Sequence, residues 1–147
     1  MKIISIIFLT LFLGKGCDNE QKQDIQSAVI EYSALTRGFY QKIVIQNQSV
    51  TVFNDRKSED KSTTTKISDA DWQYLITEFQ DIDLDDLENL KAPSEKRYYD
   101  GAAIGTLIVT YKDKTYNSAS FDHGTPPVEI ARLVTKITSL AKNNNDD

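Results

Sequence analysis

Residues 39–54, which read FYQKIVIQNQSVTVFN, hold two short runs of alternating aromatic and β-branched residues on either side of the polar pair Asn47-Gln48. Two such runs joined by two polar residues are typical of a β-hairpin. Residues 28–35 also alternate and predict a strand ahead of this hairpin. Residues 54–66 carry mixed charges, then a run of threonines, and no apolar side chain. They are predicted to form a solvated loop.

A second hairpin is predicted further along the chain. Residues 102–111 and 115–121 alternate between apolar and polar side chains on either side of the turn sequence Lys112-Asp113-Lys114. Two hairpins and one preceding strand give about five strands. Strands that come as hairpins form antiparallel sheets, because a parallel pair needs a longer crossover connection.

Two amphipathic helices complete the pattern. The first begins at Ser68, a preferred N-cap residue, and has apolar residues at helical spacing, namely Trp72, Leu75, Ile76 and Phe79. The second is expected to start at Pro126-Pro127, with Ile130, Leu133, Val134, Ile137 and Leu140 on its inner face. The sequence therefore predicts an α+β fold in which two helices pack on one face of the sheet. The other face, which includes Tyr40, Lys42, Gln46, Thr106 and Thr110, is a candidate binding surface.

Composition and charge exclude several classes of function. The chain has 147 residues, 39% of them hydrophobic, and a formal net charge of -5 from 17 basic and 22 acidic side chains. This length suits one domain with its own core. The acidic balance argues against nucleic acid as a partner. One cysteine and one histidine leave too few soft ligands for a zinc or copper site, so no metal or cofactor is predicted.

The N-terminus has the pattern of an export signal. Lys2 precedes a short apolar run, residues 3–13, which matches a signal-peptide core but is too short to span a bilayer. The following Gly16-Cys17 resembles the lipobox of bacterial lipoproteins, in which the cysteine is acylated and becomes the mature N-terminus. The resemblance implies that Cys17 carries fatty acyl chains, palmitate among them, and anchors the chain in a lipid bilayer.

These features divide the chain into four parts. Residues 1–16 are predicted to be a lipoprotein signal peptide and residues 17–27 the lipidated N-terminus with a flexible polar tether. Residues 28–141 form a single α+β domain, and residues 142–147 a disordered tail. Without the signal peptide, the mature chain becomes more acidic, because Lys2 and Lys15 are removed.

An acidic segment after the first helix suggests a calcium site as one alternative. Asp81, Asp83 and Asp85 supply carboxylates at alternate positions, as the start of a calcium loop does. The position that requires glycine in an EF-hand is Asp86, and the closing acid is replaced by Ala92. An EF-hand is excluded, and only an irregular site remains open.

A second cluster combines Arg37, Asp100, Asp122 and His123. Asp100 lies just before the first strand of the second hairpin, and Asp122 and His123 lie just after its partner, so they are expected at one end of the sheet. An aspartate that orients a histidine is half of an acid–base pair, and a hydrolase is the resulting alternative. No nucleophile accompanies the pair. We therefore expect Asp122 or His123 to cap the loop before the helix start at Pro126-Pro127, and Arg37 to lie in a turn with Gly38.

Five short motifs carry a resemblance to a family. They are Thr36-Arg37-Gly38, Ile67-Ser68-Asp69-Ala70-Asp71-Trp72, Leu90-Lys91-Ala92-Pro93, Tyr99-Asp100-Gly101-Ala102-Ala103 and Phe121-Asp122-His123-Gly124. With these motifs residues 28–141 resemble a small uncharacterised lipoprotein family of Bacteroidetes-type bacteria. The resemblance implies a small α+β domain in the cell envelope and no particular activity.

The function predicted from the sequence is that of a membrane-anchored envelope lipoprotein. The outer membrane is favoured over the inner one. The absence of a complete catalytic set favours a non-enzymatic module that binds an envelope protein or a glycan. In outline, its sheet with helices on one face is similar to β-lactamase-inhibitor-like modules, which bind proteins through an exposed sheet.

Overall fold

The fold is described from a computed structural model, which covers residues 23–144. The predicted signal peptide, Cys17 and the first part of the predicted tether lie outside the described residues, as do residues 145–147.

Seven strands form one open antiparallel sheet, and two helices accompany it. The strands are β1 (Ala28–Thr36), β2 (Phe39–Gln46), β3 (Ser49–Phe53), β4 (Ser62–Lys66), β5 (Ile104–Tyr111), β6 (Lys114–Asn117) and β7 (Phe121–Asp122), and the helices are α1 (Asp69–Gln80) and α2 (Ala131–Asn143). The strand order is β4-β3-β2-β1-β5-β6, and β7 pairs with the first residues of β5. The predicted α+β class with an antiparallel sheet is confirmed.

The expected number of about five strands is too low, chiefly because the predicted loop at residues 54–66 contains β4. Ser62–Lys66 pairs with β3 and forms one edge of the sheet. All five of its side chains are exposed. A strand without a buried face has no apolar alternation, so the pattern that revealed the other strands is missing here. The two-residue β7 extends the same edge of β5 that pairs with β6.

The core lies on one face of the sheet. Along β1, every second residue from Ala28 to Ala34 is buried, and the intervening ones are only partly buried. The predicted apolar residues of both helices join these strand residues in one core cluster, with Ile76 only partly buried at its margin. The Ser68 hydroxyl caps α1 by accepting a hydrogen bond from the Asp71 amide at 3.2 Å. The β-sheet register places the five predicted open-face residues opposite the core.

Helix α2 begins later than the two prolines suggested. Pro127 lies in a turn that precedes the helix, where its carbonyl accepts a hydrogen bond from the Ile130 amide at 3.1 Å. The helix itself starts at Ala131. Pro fixes φ at a value that suits turns as well as first helical residues, so the sequence did not distinguish the two.

Both predicted domain boundaries shift outward. Ile25 is buried in the core, and the Gln23 side-chain amide donates to the Ile82 carbonyl at 2.8 Å. Residues 23–27 therefore belong to the ordered fold and not to the tether. At the other end, Lys142 and Asn143 are the last residues of α2, where a disordered tail was predicted. Among the described residues, no helix is long and apolar enough to cross a membrane.

The two ends of the sheet are named by their distance from the first described residues, which lie at the near end. At the near end, the first residue of β1, Ala28, pairs with Tyr111, and the Tyr111 hydroxyl accepts a hydrogen bond from the Asp24 amide at 3.1 Å. At the far end, Leu35 pairs with Ile104, close to the turn at Arg37. Because β1 has nine residues and a strand rises about 3.3 Å per residue, the two ends are about 26 Å apart.

Candidate functional site

The far end holds all four residues of the predicted cluster but does not join the predicted acid–base pair. Arg37 lies in the exposed turn between β1 and β2. Asp100 is exposed and ends a 3₁₀ turn in the left-handed conformation, with φ of 58°. Asp122 and His123 lie in and just after β7. Among residues 23–144, no hydrogen bond connects His123 with either Asp100 or Asp122.

The alternation of side chains along a strand explains why Asp122 and His123 do not meet. Phe121 lies opposite Gly105 on the core side of the sheet, whereas Asp122 lies opposite Ile104 on the outer side. The His123 amide continues this pairing by donating to the Ala103 carbonyl at 2.9 Å. Consecutive residues of an extended chain point to opposite faces, so His123 returns to the core side. The predicted contact between Asp122 and His123 is therefore wrong, because the register of β7 places them on opposite faces of the sheet.

Asp122 is the centre of a buried clasp that holds the segment Ser94–Arg97 against β7. Its carboxylate is almost completely buried, and it accepts hydrogen bonds from the Ser94 hydroxyl at 2.6 Å and from the Lys96 and Arg97 amides at 2.8 and 3.0 Å. The Arg97 guanidinium adds an ion pair at 3.1 Å. Asp122 therefore anchors the connection before β5, a different segment from the loop before Pro126-Pro127 that it was expected to cap.

The same clasp determines the ionisation of Asp122. Burial alone would raise the pKa of this carboxyl group, but the hydrogen bonds from Ser94, from the Arg97 and Lys96 amides and from the Arg97 side chain outweigh it. They hold the pKa well below its usual range. A carboxylate that is charged at neutral pH and fully hydrogen-bonded is a structural anchor and is not suited to accept a proton in catalysis.

His123 pairs with Tyr32 instead. Its Nδ1 lies 2.6 Å from the Tyr32 hydroxyl oxygen, and the two rings stack with centroids 5.9 Å apart. On the other side, the Phe39 ring lies 5.7 Å from the imidazole. Tyr32 is completely buried in β1, and burial raises its pKa far above the normal value. The phenol therefore stays protonated, and His123 is held by a neutral partner.

The environment of His123 favours its neutral form. Burial lowers the pKa of the imidazole, and the positive charge of Lys142 lowers it further. A histidine with a depressed pKa in the folded state stabilises the fold above its unfolded pKa of about 6.5. This contribution is lost as the pH falls from there through the folded pKa, because the unfolded chain binds the proton more tightly.

We predict that the Lys142→Gln substitution raises the pKa of His123, because it removes the positive charge that, among the described residues, lowers the pKa of this ring. Titration of the single imidazole by NMR measures the shift directly. The fold should also lose less stability between pH 7 and pH 5 in the variant than in the parent chain. As a control, Lys112→Gln in the turn between β5 and β6 should leave the titration unchanged. Equal titration curves for all three proteins would contradict the assigned cause.

His123 lines a cleft on the core side of the far end. The cleft has a volume of about 270 Å³ and is bounded by the start of β2, the connection between β7 and α2, and one side of α2. Its wall contains Phe39, Gln41, His123, Pro126, Thr138 and Lys142, among others. Apolar rings and a few polar groups in one concave surface are typical of small-molecule sites.

The outer side of the far end exposes aromatic and basic side chains. Tyr98 and Tyr99 are 70% and 72% exposed, and Ile104 is also exposed. Tyr98 covers the buried Arg97, whose guanidinium lies 4.3 Å from its ring centroid. Next to the Arg37 turn, a shallow pocket is lined by Tyr40, Arg56 and Lys57, and the Arg56 guanidinium lies 5.5 Å from the Tyr40 ring centroid.

The acidic segment after α1 gives no support to a calcium site. Asp85 forms an ion pair with Lys114 at 3.0 Å, and Asp83 accepts a hydrogen bond from the Asp85 amide at 3.1 Å. Asp81 is exposed at the C-terminus of α1. Within residues 23–144, no group of three or more His, Cys, Asp or Glu residues has the arrangement of a metal site.

Three residues that matter at the far end were missed from the sequence. Tyr32 was assigned only to a strand, and its partner lies 91 residues away. Arg97 has no motif around it that singles it out. Gly105 gave a local signal, since glycine inside a strand often marks close packing. A Cβ atom at Gly105 would lie 2.9 Å from the Phe121 ring and 3.2 Å from the Tyr32 hydroxyl oxygen.

Comparison with known proteins identifies no relative: no family model, no curated protein and no solved structure matches the chain.

Proposed function

We propose that this chain is a non-enzymatic binding module of the cell envelope. Cys17 is lipidated and anchors it in a membrane, the outer membrane in preference to the inner one, and the far end binds an envelope protein. Both helices cover one face of the sheet, so that the other face and the far end are accessible to the partner.

The observation that carries the proposal is the position of the exposed aromatic side chains. Tyr98 and Tyr99, together with the apolar Ile104, are exposed at the far end, whereas the chain from Cys17 joins the fold at the near end, about 26 Å away. Exposed apolar side chains cost free energy and are typical of interaction surfaces when they cluster. A surface on the side opposite the anchor is accessible to a partner beyond the membrane.

The residue types at the far end favour a protein partner. Tyrosine and arginine dominate the residues that contribute most to protein–protein binding, because they bury much area and still form hydrogen bonds. Tyr98, Tyr99, Arg37 and Arg56 provide such groups. The basic residues on this otherwise acidic chain also favour a partner with an acidic surface.

The geometry does not favour the hydrolase alternative. The imidazole of His123 is held by Tyr32, and both carboxylate oxygens of Asp122 accept hydrogen bonds from Ser94–Arg97. Asp100 makes no hydrogen bond through its side chain to the described residues. In the predicted acid–base pair an aspartate orients the histidine, and among the described residues the phenol of Tyr32 takes that position instead.

Site-specific photo-crosslinking in the source cells tests the binding surface. A benzophenone amino acid at position 99 in the full chain is expected to give one discrete adduct. The matched control is position 74, where Tyr74 is exposed on α1, and no adduct is expected there. Protease digestion should remove the attached mass. An adduct that resists protease but is removed by a glycan-degrading enzyme would assign a glycan instead, and equal adducts at both positions would contradict a far-end site.

The mass of the N-terminal peptide from the native protein tests the anchor separately. A peptide that begins at Cys17 with diacylglyceryl and fatty acyl groups is expected. A free Cys17 thiol, or a mature chain that begins elsewhere, would contradict the proposed lipid anchor. The proposed binding surface at the far end would still be tested by the crosslinking experiment.

A further inference from the structure

His123, in the wall of this cleft, forms a polar pair with the buried Tyr32 that the fold alone does not require. Tyr32 lies against Phe121 and pairs with Leu107, where an apolar side chain would fill the same space without a polar atom. Burying polar groups in a core is costly unless they are fully hydrogen-bonded. The pair satisfies the Tyr32 hydroxyl at 2.6 Å, and the second ring nitrogen of His123 makes no hydrogen bond with the described residues.

The hydrogen bond from Tyr32 fixes which nitrogen of His123 carries the proton. A protonated phenol in a buried position needs an acceptor for its hydrogen, and Nδ1 is the acceptor within reach. In the neutral ring, the remaining proton is then on Nε2. The imidazole therefore lines the cleft with a donor whose orientation is set by a residue of the central strand.

The cleft also contains a positively charged side chain and apolar side chains. Lys142, on the last turn of α2, lines the same cleft and forms no ion pair with the described residues. Phe39, Pro126 and Val134 supply apolar surface, and Gln41 and Thr138 add polar groups. None of the acidic side chains of residues 23–144 lines the cleft. Its charge is complementary to an anion, and its walls are complementary to a hydrocarbon group.

We propose that this cleft binds a small organic carboxylate that carries an apolar ring or branched chain. The carboxylate contacts Lys142 and the Nε2–H of His123, and the apolar group packs on Phe39 and Val134. A cleft volume of about 270 Å³ is near the lower end of the range for small-molecule sites, which suits a ligand with one ring and one carboxylate. The site does not depend on the proposed partner surface, because it lies on the core side of the sheet.

NMR of the single histidine provides a specific test, because its imidazole signals cannot be confused with those of another residue. Phenylacetate has the required carboxylate and ring. It is expected to shift the imidazole signals saturably in the purified chain. Phenylacetamide, its neutral analogue, and acetate, which lacks the ring, are each expected to bind about tenfold more weakly or worse.

Two variants distinguish the site from weak surface binding. Lys142→Gln should weaken phenylacetate binding about tenfold and leave phenylacetamide binding unchanged, whereas Lys112→Gln in the near-end turn should have no effect. Phe39→Ala should weaken both ring compounds. Shifts that do not saturate, or that are the same for acetate and phenylacetate, would overturn the proposal. So would phenylacetate binding that is unaffected by Lys142→Gln.

A comparison of two ligands shows whether the carboxylate belongs to a peptide C-terminus or to a free small molecule. N-acetylglycylphenylalanine places the carboxylate and ring at the end of a peptide, and phenylacetate is a free acid. Tighter binding of the peptide would assign a peptide C-terminus, and tighter binding of phenylacetate would assign a free small molecule. Either result supports a carboxylate site. If neither compound binds, the proposal of a carboxylate site is overturned. The crosslinking at position 99 is unaffected by this outcome.

Discussion

The Asp122→Asn substitution is expected to lower the melting temperature of the domain by roughly 10 °C at neutral pH. Asparagine keeps the shape of the side chain but removes the charge that pairs with the buried Arg97. Its NH₂ group would also face the hydrogen-bond donors of Ser94–Arg97, which need an acceptor. Removal of one member of a buried ion pair leaves the other charge without compensation. Thermal unfolding followed by circular dichroism measures the effect.

The matched control is Asp100→Asn. Asp100 is exposed and left-handed, a conformation that asparagine tolerates well, so the melting temperature should change by less than about 2 °C. Asp122 has a depressed pKa, so its stabilising contribution is complete above the normal carboxyl range and is lost as the pH falls through the folded pKa. The difference between the parent chain and Asp122→Asn should therefore shrink in strong acid. Equal melting temperatures for the two variants at neutral pH would refute the clasp.

The Gly105→Ala substitution is expected to destabilise the domain by about 2 kcal/mol. The added methyl group would lie 2.9 Å from the Phe121 ring, closer than a carbon atom can approach without displacement, and would make a tight contact of 3.2 Å with the Tyr32 hydroxyl oxygen. Neither ring has room to move, because both are completely buried. Displacement of Tyr32 should also perturb its hydrogen bond to His123. Urea unfolding gives the loss of stability, and the imidazole NMR signals report the change at His123.

Gly38→Ala is the corresponding control. A Cβ atom at Gly38 meets nothing within 4 Å, and the backbone there has no left-handed φ, so alanine should be neutral or slightly stabilising. If Gly105→Ala were as stable as Gly38→Ala, with unchanged imidazole signals, the packing of Tyr32 against Phe121 and His123 would not be as tight as described.

The strands and helices with one buried face were predictable from the sequence. In β2 and in α1, side chains alternate or recur at a fixed spacing because one face meets the core, and this spacing is a local property of the chain. For β4 the spacing carries no information, since Ser62–Lys66 is exposed on both faces. Its threonines were the remaining signal, because β-branched residues favour strands even at an edge.

The candidate site was predictable in position but not in its contacts. The two segments around the second hairpin placed Asp100 and His123 at one end of the sheet, and the structure agrees. Which residues touch there depends on the register of β7, because a shift by one residue exchanges the faces. The partners that result, Tyr32 for His123 and Arg97 for Asp122, are separated from them by 91 and 25 residues. No local pattern encodes such pairs.

The edge strand β4 has a consequence for the behaviour of the protein at high concentration. An edge strand exposes unpaired backbone donors and acceptors, to which a strand of another molecule can add. Ser62–Lys66 offers these groups but carries Ser62, Thr64 and Lys66 on one face and Thr63 and Thr65 on the other, all of them exposed. A strand that added here would gain hydrogen bonds and bury almost no hydrocarbon. β4 therefore protects the sheet from growing into an aggregate, which matters most for a chain concentrated on a surface.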